Sequence, residues 1–220
     1  MKKKIIVTGA TGLAGSEVIR QAILDPEVET VTALVRRPMN WADPKLKVVI
    51  HNDFSDYSSL FSIFQIHDVL IWCLGISQTQ VKKEEYVRIT YDYTMACATA
   101  VVKANPKLGF VFLSGMGADT KEKSRTLFAR IKGKAENGLL SLPIENMFIA
   151  RPGGIRPIHK KENAAWFEKI LIPTYPFFEF LFPSMMISST ALAKAMLYLA
   201  KYEQGKKILE NGQLKNLLIK

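Results

Sequence analysis

Three glycines spaced three apart, Gly9, Gly12 and Gly15, separate a short apolar run from an amphipathic stretch. No other feature constrains the chain as much. Ile5-Ile6-Val7 reads as a strand, and Leu13, Val18, Ile19, Ala22 and Ile23 recur as the apolar face of a helix. Strand, glycine turn and helix, in that order, are what gripping a dinucleotide pyrophosphate requires. Gly9 permits the tight turn, Gly12 lets the backbone approach the phosphates, and Gly15 lets the helix pack close to the strand. Amides left free at the helix start then face an anion. A plain strand-to-helix turn needs one glycine rather than three. Gly9, Thr11, Gly12, Leu13, Ala14 and Gly15 are therefore the candidate phosphate cradle.

The rest of the chain alternates strand and helix patterns, which argues for an α/β fold with a doubly wound parallel sheet. Strands are expected at 4–8, 30–35, 46–51, 68–74, 109–114 and 145–150. Helices are expected at 13–24, 58–65, 84–103 and 124–141, with a last helix at 190–202 before a short strand at 207–209. The chain reads as a single domain over 1–220, with a Rossmann core of about 1–155 and a C-terminal lobe of about 156–220. Ile170 to Ile187 is rich in Phe, Leu and Met, but Glu179, Pro173, Pro176 and Pro183 argue against a membrane span. It reads as a buried or substrate-facing lobe, with a hydrophobic oligomer contact as the alternative.

Sheets of this kind bind ligands at the carboxyl ends of their strands. The second strand ends Val35-Arg36-Arg37, where an NAD site places an acidic residue for the adenosine ribose. A carboxylate there repels a 2′-phosphate and a guanidinium pairs with one, so NADP is expected over NAD. The alternative for Arg36 and Arg37 is a charged turn before Pro38. Asp53, after the third strand, either bonds the adenine amino group or caps its own turn.

The formal charge of +10 comes from scattered residues, namely Lys2 to Lys4, Lys121 to Lys134, Lys160-Lys161 and the C-terminal lysines. They do not interleave with aromatics, so nucleic acid is not an expected partner. The charge fits a solvated surface that also attracts a phosphorylated cofactor or an acidic substrate. After Met1 to Lys4 the apolar run is only three residues, too short for a secretion signal. Cys73 and Cys97 read as buried free thiols in a reducing compartment, and two such positions make no metal cluster. A cytoplasmic protein, monomer or homodimer, without a transmembrane segment is the expectation.

Gly9-Ala10-Thr11-Gly12-Leu13-Ala14-Gly15, Leu34-Val35-Arg36-Arg37-Pro38, Cys73-Leu74-Gly75 and Ala150-Arg151-Pro152-Gly153 together resemble the atypical short-chain dehydrogenase/reductases. This is the NAD(P)-dependent epimerase/dehydratase-like group, and the likeness is nearest to its Tat-interacting-protein-like and NmrA-like branches. The resemblance spans roughly 4–157. It implies a seven-stranded Rossmann sheet, a small substrate lobe, and a cofactor site that includes Cys73, Leu74 and Gly75.

It also implies a catalytic set: a tyrosine as general acid/base, a lysine four residues later that binds the nicotinamide ribose, and a serine near the end of the fifth strand. Lys132 stands at the lysine position and Phe128 at that of the tyrosine. Phenylalanine has no proton to exchange. Ser114 lies one place short of the serine position, which Gly115 or Met116 takes. Tyr202 and Lys206 repeat the spacing by coincidence at a helix end. Tyr86, Tyr91 and Tyr93 read as packing or surface residues, and His159 as a solvated loop residue. Two functions stay open: an NADP-dependent oxidoreductase or epimerase-like enzyme with Lys132 and Ser114 as its catalytic candidates, and a catalytically silent NADP(H)-sensing regulatory protein. A nucleic-acid binder on the same fold is the weakest reading. The substrate is not legible.

Overall fold

Continuous apolar runs form strands buried on both faces, as a parallel sheet covered on two sides demands. The computed structural model describes residues 1–159, 184–202 and 205–219. Its strands are β1 (Lys3–Thr8), β2 (Val28–Val35), β3 (Leu46–Ile50), β4 (Val69–Trp72), β5 (Gly109–Leu113), β6 (Met147–Arg151), β7 (Gly154–Arg156), β8 (Met186–Ser188) and β9 (Ile208–Glu210). Seven of them make one sheet in the order β3-β2-β1-β4-β5-β6-β9, parallel at every pairing. β7 and β8 form a separate parallel pair. The helices are α1 (Leu13–Leu24), α2 (Phe61–Gln65), α3 (Lys83–Val87), α4 (Tyr93–Ala104), α5 (Leu127–Leu140), α6 (Ser189–Lys201) and α7 (Asn211–Asn216).

Successive residues of a strand point to opposite faces, so β1 feeds two cores. Ile5 and Val7 join Val18 and Ile19 of α1 and Leu192 and Met196 of α6. Ile6 joins Trp72, Phe110, Phe64 of α2, Val101 of α4 and Leu139 of α5. The strand order reverses between β1 and β4, which opens a crevice at their carboxyl ends.

The structure departs from expectation in the helix at 84–103 and in the extent of the core, while the seven-stranded sheet is as expected. A π-helical turn, Arg88–Asp92, interrupts the expected helix at 84–103 and separates α3 from α4. β9 pairs with β6 as the seventh strand, and α6 packs on α1. The sheet core therefore runs past the boundary expected near residue 155, because β9 takes the free edge of β6 and α6 packs on α1. The apolar stretch 170–187 lies largely outside the described residues. Among the described residues, no helix is long and apolar enough to cross a membrane.

Candidate functional site

The glycine turn is held by contacts that no side chain would allow. Gly9 has φ +64°, and a Cβ on it would lie 2.4 Å from the Cys73 carbonyl oxygen. A Cβ on Gly15 would lie 2.2 Å from the carbonyl oxygen of Gly9. Gly12 closes the turn by donating its N–H to that same oxygen at 2.8 Å. A Cβ there would meet only Gly9, at 3.1 Å, so its outer side is open. α1 starts without a side-chain cap and without an acid in its first turn. The amides of Leu13, Ala14 and Gly15 thus have no intrahelical acceptor, and the positive end of the helix dipole is uncompensated. This cradle fits a diphosphate.

The other expected cofactor residues gather around it. Leu34 pairs with Thr8, which brings exposed Arg36 and Arg37 to the end of β2 beside the turn. The Leu74 amide donates to Thr8 Oγ1 at 3.3 Å, and a Cβ on Gly75 would meet nothing. Burial pushes the Cys73 thiol up to about 12, which leaves it unreactive. Asp53 does what its capping alternative describes. Its Oδ1 accepts from the Ser55 hydroxyl at 2.5 Å and the Ser55 amide at 2.9 Å, and these bonds hold the carboxyl below its ordinary range.

Lys132 points inward from α5. Its Nζ donates to the Leu113 carbonyl at 2.9 Å and sits 4.7 Å from the Phe112 ring centre. Burial pulls the ammonium down to about 8, against the opposing charges of Glu136 and Cys73. Phe128 lies against the loop after β5, for a Cβ on Gly115 would come within 2.7 Å of its ring. Exposed Gln78, from the loop after β4, accepts the Phe128 amide proton at 2.9 Å and so ties that loop to the start of α5.

Ser114 has a different partner from the one a catalytic serine needs. Its hydroxyl donates to Glu136 Oε1 at 2.5 Å, and Glu136 is fully buried. Arg151 holds both carboxylate oxygens of Glu136, through Nε at 2.9 Å and through a short Nη2 contact. Its Nη1 reaches Glu210 at 2.8 Å. Ser114 is thus part of a buried ionic network joining β5, α5, β6 and β9, which directs its proton away from any substrate.

The remaining tyrosines and the histidine are also accounted for. Tyr86 is buried, Tyr91 packs under Lys134, and the Tyr202 hydroxyl donates to Glu27. His159 is not simply solvated. Its Nδ1 lies 2.7 Å from Oε2 of buried Glu17, whose Oε1 accepts from Thr190 and Gln21. Glu136, Gln78 and Glu17 escape sequence reasoning. Glu136 sits one helical turn past Lys132, a spacing that offers the only sequence hint among them.

Residues 9–139 match a family described as NAD(P)H-binding. The mitochondrial protein FMP52 of Candida albicans is 29% identical over 161 residues, covering 71% of this chain and 69% of its own length. Protein HTATIP2 of Rattus norvegicus is 28% identical over 153 residues, covering 69% of this chain and 62% of its own. The chain thus spans about two thirds of the length of these relatives. Among solved structures, Gre2 of Candida albicans in complex with NADPH superposes with a TM-score of 0.72 at 14% identity, over 94% of this chain and 78% of that one. That likeness establishes the fold. The cytoplasmic location expected from the sequence is overturned by the fungal relatives, which are named as mitochondrial proteins.

Proposed function

The chain belongs to the NAD(P)H-binding family, and on that premise we propose that it binds NADP(H) and acts as an oxidoreductase or epimerase-like enzyme. The observation that carries this reading is the packed glycine cradle, with backbone touching backbone at Gly9 and Gly15 and an uncapped helix start beyond it. In this reading the amides of Leu13, Ala14 and Gly15 hold the pyrophosphate. Arg36 and Arg37 pair with the 2′-phosphate, and Lys132 bonds the nicotinamide ribose. The floor consists of Cys73, Leu74 and Gly75. When bound, a reduced nicotinamide supplies hydride. The chain itself orients that group, excludes water beneath it, and holds a proton at Lys132 Nζ.

The test is calorimetric titration with NADPH and NADH. NADPH should bind at least tenfold more tightly. Tighter NADH binding refutes the role given to Arg36 and Arg37, and binding of neither refutes the cradle.

A second reading, an NADP(H)-sensing regulatory protein, is favoured by one observation. The Phe128 ring rests on Gly115 where the resemblance implies a tyrosine and a serine. Tight NADPH binding without oxidation across a panel of aldehydes, ketones and quinones would support it over the enzymatic reading.

A further inference from the structure

We propose that the Lys132 ammonium is the proton donor of this site, in the role that a tyrosine hydroxyl fills in the enzymes the chain resembles. The inference rests on the enzymatic reading above and names the group that completes it.

Three groups near the carboxyl ends of β4 and β5 are poor donors in their own ways. The Phe128 ring carries no exchangeable proton. The Ser114 hydroxyl donates into the fully buried Glu136 carboxylate. The half-buried Cys73 thiol is held protonated well above neutral pH. Lys132 differs from the neighbouring cations of its helix. Arg130 donates to the Ser124 carbonyl at 2.8 Å, and Lys134 lies over the Tyr91 ring at 4.2 Å. Lys132 Nζ instead sits at the carboxyl end of the central strands, on the carbonyl of Leu113 at the end of β5 and near Cys73 just past β4. That one bond uses one of its three N–H groups.

The surroundings also suit proton exchange. The charged and titratable groups facing Nζ are Glu136 from its own helix and Cys73 from the end of β4. Behind Glu136 stand Arg151 of β6 and Glu210 of β9. Glu136 is engaged by Ser114 and Arg151, so it does not clamp the ammonium in an ion pair of its own. Burial dominates and brings the ammonium to about 8. A donor with its pKa near the working pH both holds and releases its proton readily.

The step balances as follows. A substrate carbonyl carbon receives the hydride that a reduced nicotinamide supplies when bound, forming a C–H bond. The C=O π pair moves to oxygen. That oxygen takes a proton from Nζ, an N–H bond breaks, and the neutral amine regains its proton from water.

Two measurements test this. The first is amine labelling of the native protein, read by mass spectrometry across pH 6 to 11, with and without NADPH. Lys132 should gain reactivity with a midpoint near 8, and NADPH should suppress it. The second compares wild type with Lys132→Arg, in which a fixed cation replaces a titrating one, folding being verified by circular dichroism. Lys132→Arg is assayed at NADPH concentrations that saturate it by its own measured affinity, so that turnover is read apart from binding. It should lose about a hundredfold or more of carbonyl turnover, together with the fall in wild-type kcat above pH 8. The proposal is overturned if Lys132→Arg keeps the rate and the pH limb, if Lys132 labels at no pH or without regard to NADPH, or if wild type binds NADPH and turns over no aldehyde or ketone. Absence of NADPH binding to wild type is a separate result, which overturns the enzymatic reading and this inference together.

Discussion

Replacing Glu136 with glutamine tests the buried network under the site. Glu136 has no exposed surface, and it accepts from the Ser114 hydroxyl and from two nitrogens of Arg151. Removing one charge of a buried pair destabilises by about 3–5 kcal/mol, because the other charge is left uncompensated. The Arg151 side chain is 13% exposed and keeps Glu210 at 2.8 Å, so the low end, about 3 kcal/mol, is expected. With a urea slope near 3 kcal/mol per M, the unfolding midpoint should fall by about 1 M. For a chain of this size the melting temperature should fall by roughly 6–12 °C. Trp72, fully buried and stacked on Phe110 at 6.2 Å, offers a fluorescence probe. A Glu136→Met, Arg151→Met double variant removes both charges and should recover most of the loss, since apolar replacement of a buried pair is often neutral. A Glu136→Gln protein within about 0.5 kcal/mol of wild type would refute the reasoning, as would a double variant weaker than the sum of its singles.

Other outcomes follow from the same geometry. Gly15→Ala forces a methyl into the Gly9 carbonyl, so it should lose about 1–3 kcal/mol of stability along with nucleotide binding, measured by denaturation and calorimetry. Gly12→Ala meets only one atom and should fold normally while binding NADPH at least tenfold more weakly in the same titration. Arg36→Asp should weaken NADPH binding about tenfold or more and spare NADH, because bonds to charged groups are worth about 1.5–3 kcal/mol. Burial alone would raise the Glu17 carboxyl, but bonds from His159, Thr190 and Gln21 outweigh it and hold the folded value below the ordinary one. Its contribution is therefore present above about pH 4.3 and lost as pH falls through the lowered folded value. Acid denaturation curves should show this loss in wild type and not in Glu17→Gln.

Local signals carried most of the architecture. The glycine spacing and the apolar runs located β1, α1, β2, β4, β5 and β6 to within a residue or two, because those elements are set by turn chemistry and burial. The phosphate cradle was legible for the same reason, since Gly12 and Gly15 answer to Gly9 within six residues, although the close approach of Gly9 to Cys73 is remote. What sequence could not show depends on distant partners. The place of β9 beside β6 and the packing of α6 on α1 join segments far apart in the chain. The π turn at Arg88–Asp92 arises within an otherwise regular helical pattern. Ser114 read as a catalytic candidate because its strand-end position suits one. Its actual acceptor, Glu136, lies 22 residues on, and its charge looked like an ordinary helix surface. His159 and Glu17 meet across 142 residues, a distance no local pattern spans.

The bond between Glu17 and Thr190 closes a loop of 173 residues, and it bears on how the chain acquires its shape during synthesis. The nucleotide cradle leaves a ribosome well before α6, which packs against its helix in the finished fold. At about 5–20 residues per second, that interval lasts roughly ten to forty seconds. Throughout it, the core around Val18 and Ile19 lacks Leu192 and Met196, and topologies so dominated by remote pairings are slow to form. Completion of the core behind the cofactor pocket thus waits for α6, although the motif that defines the pocket is translated well before it.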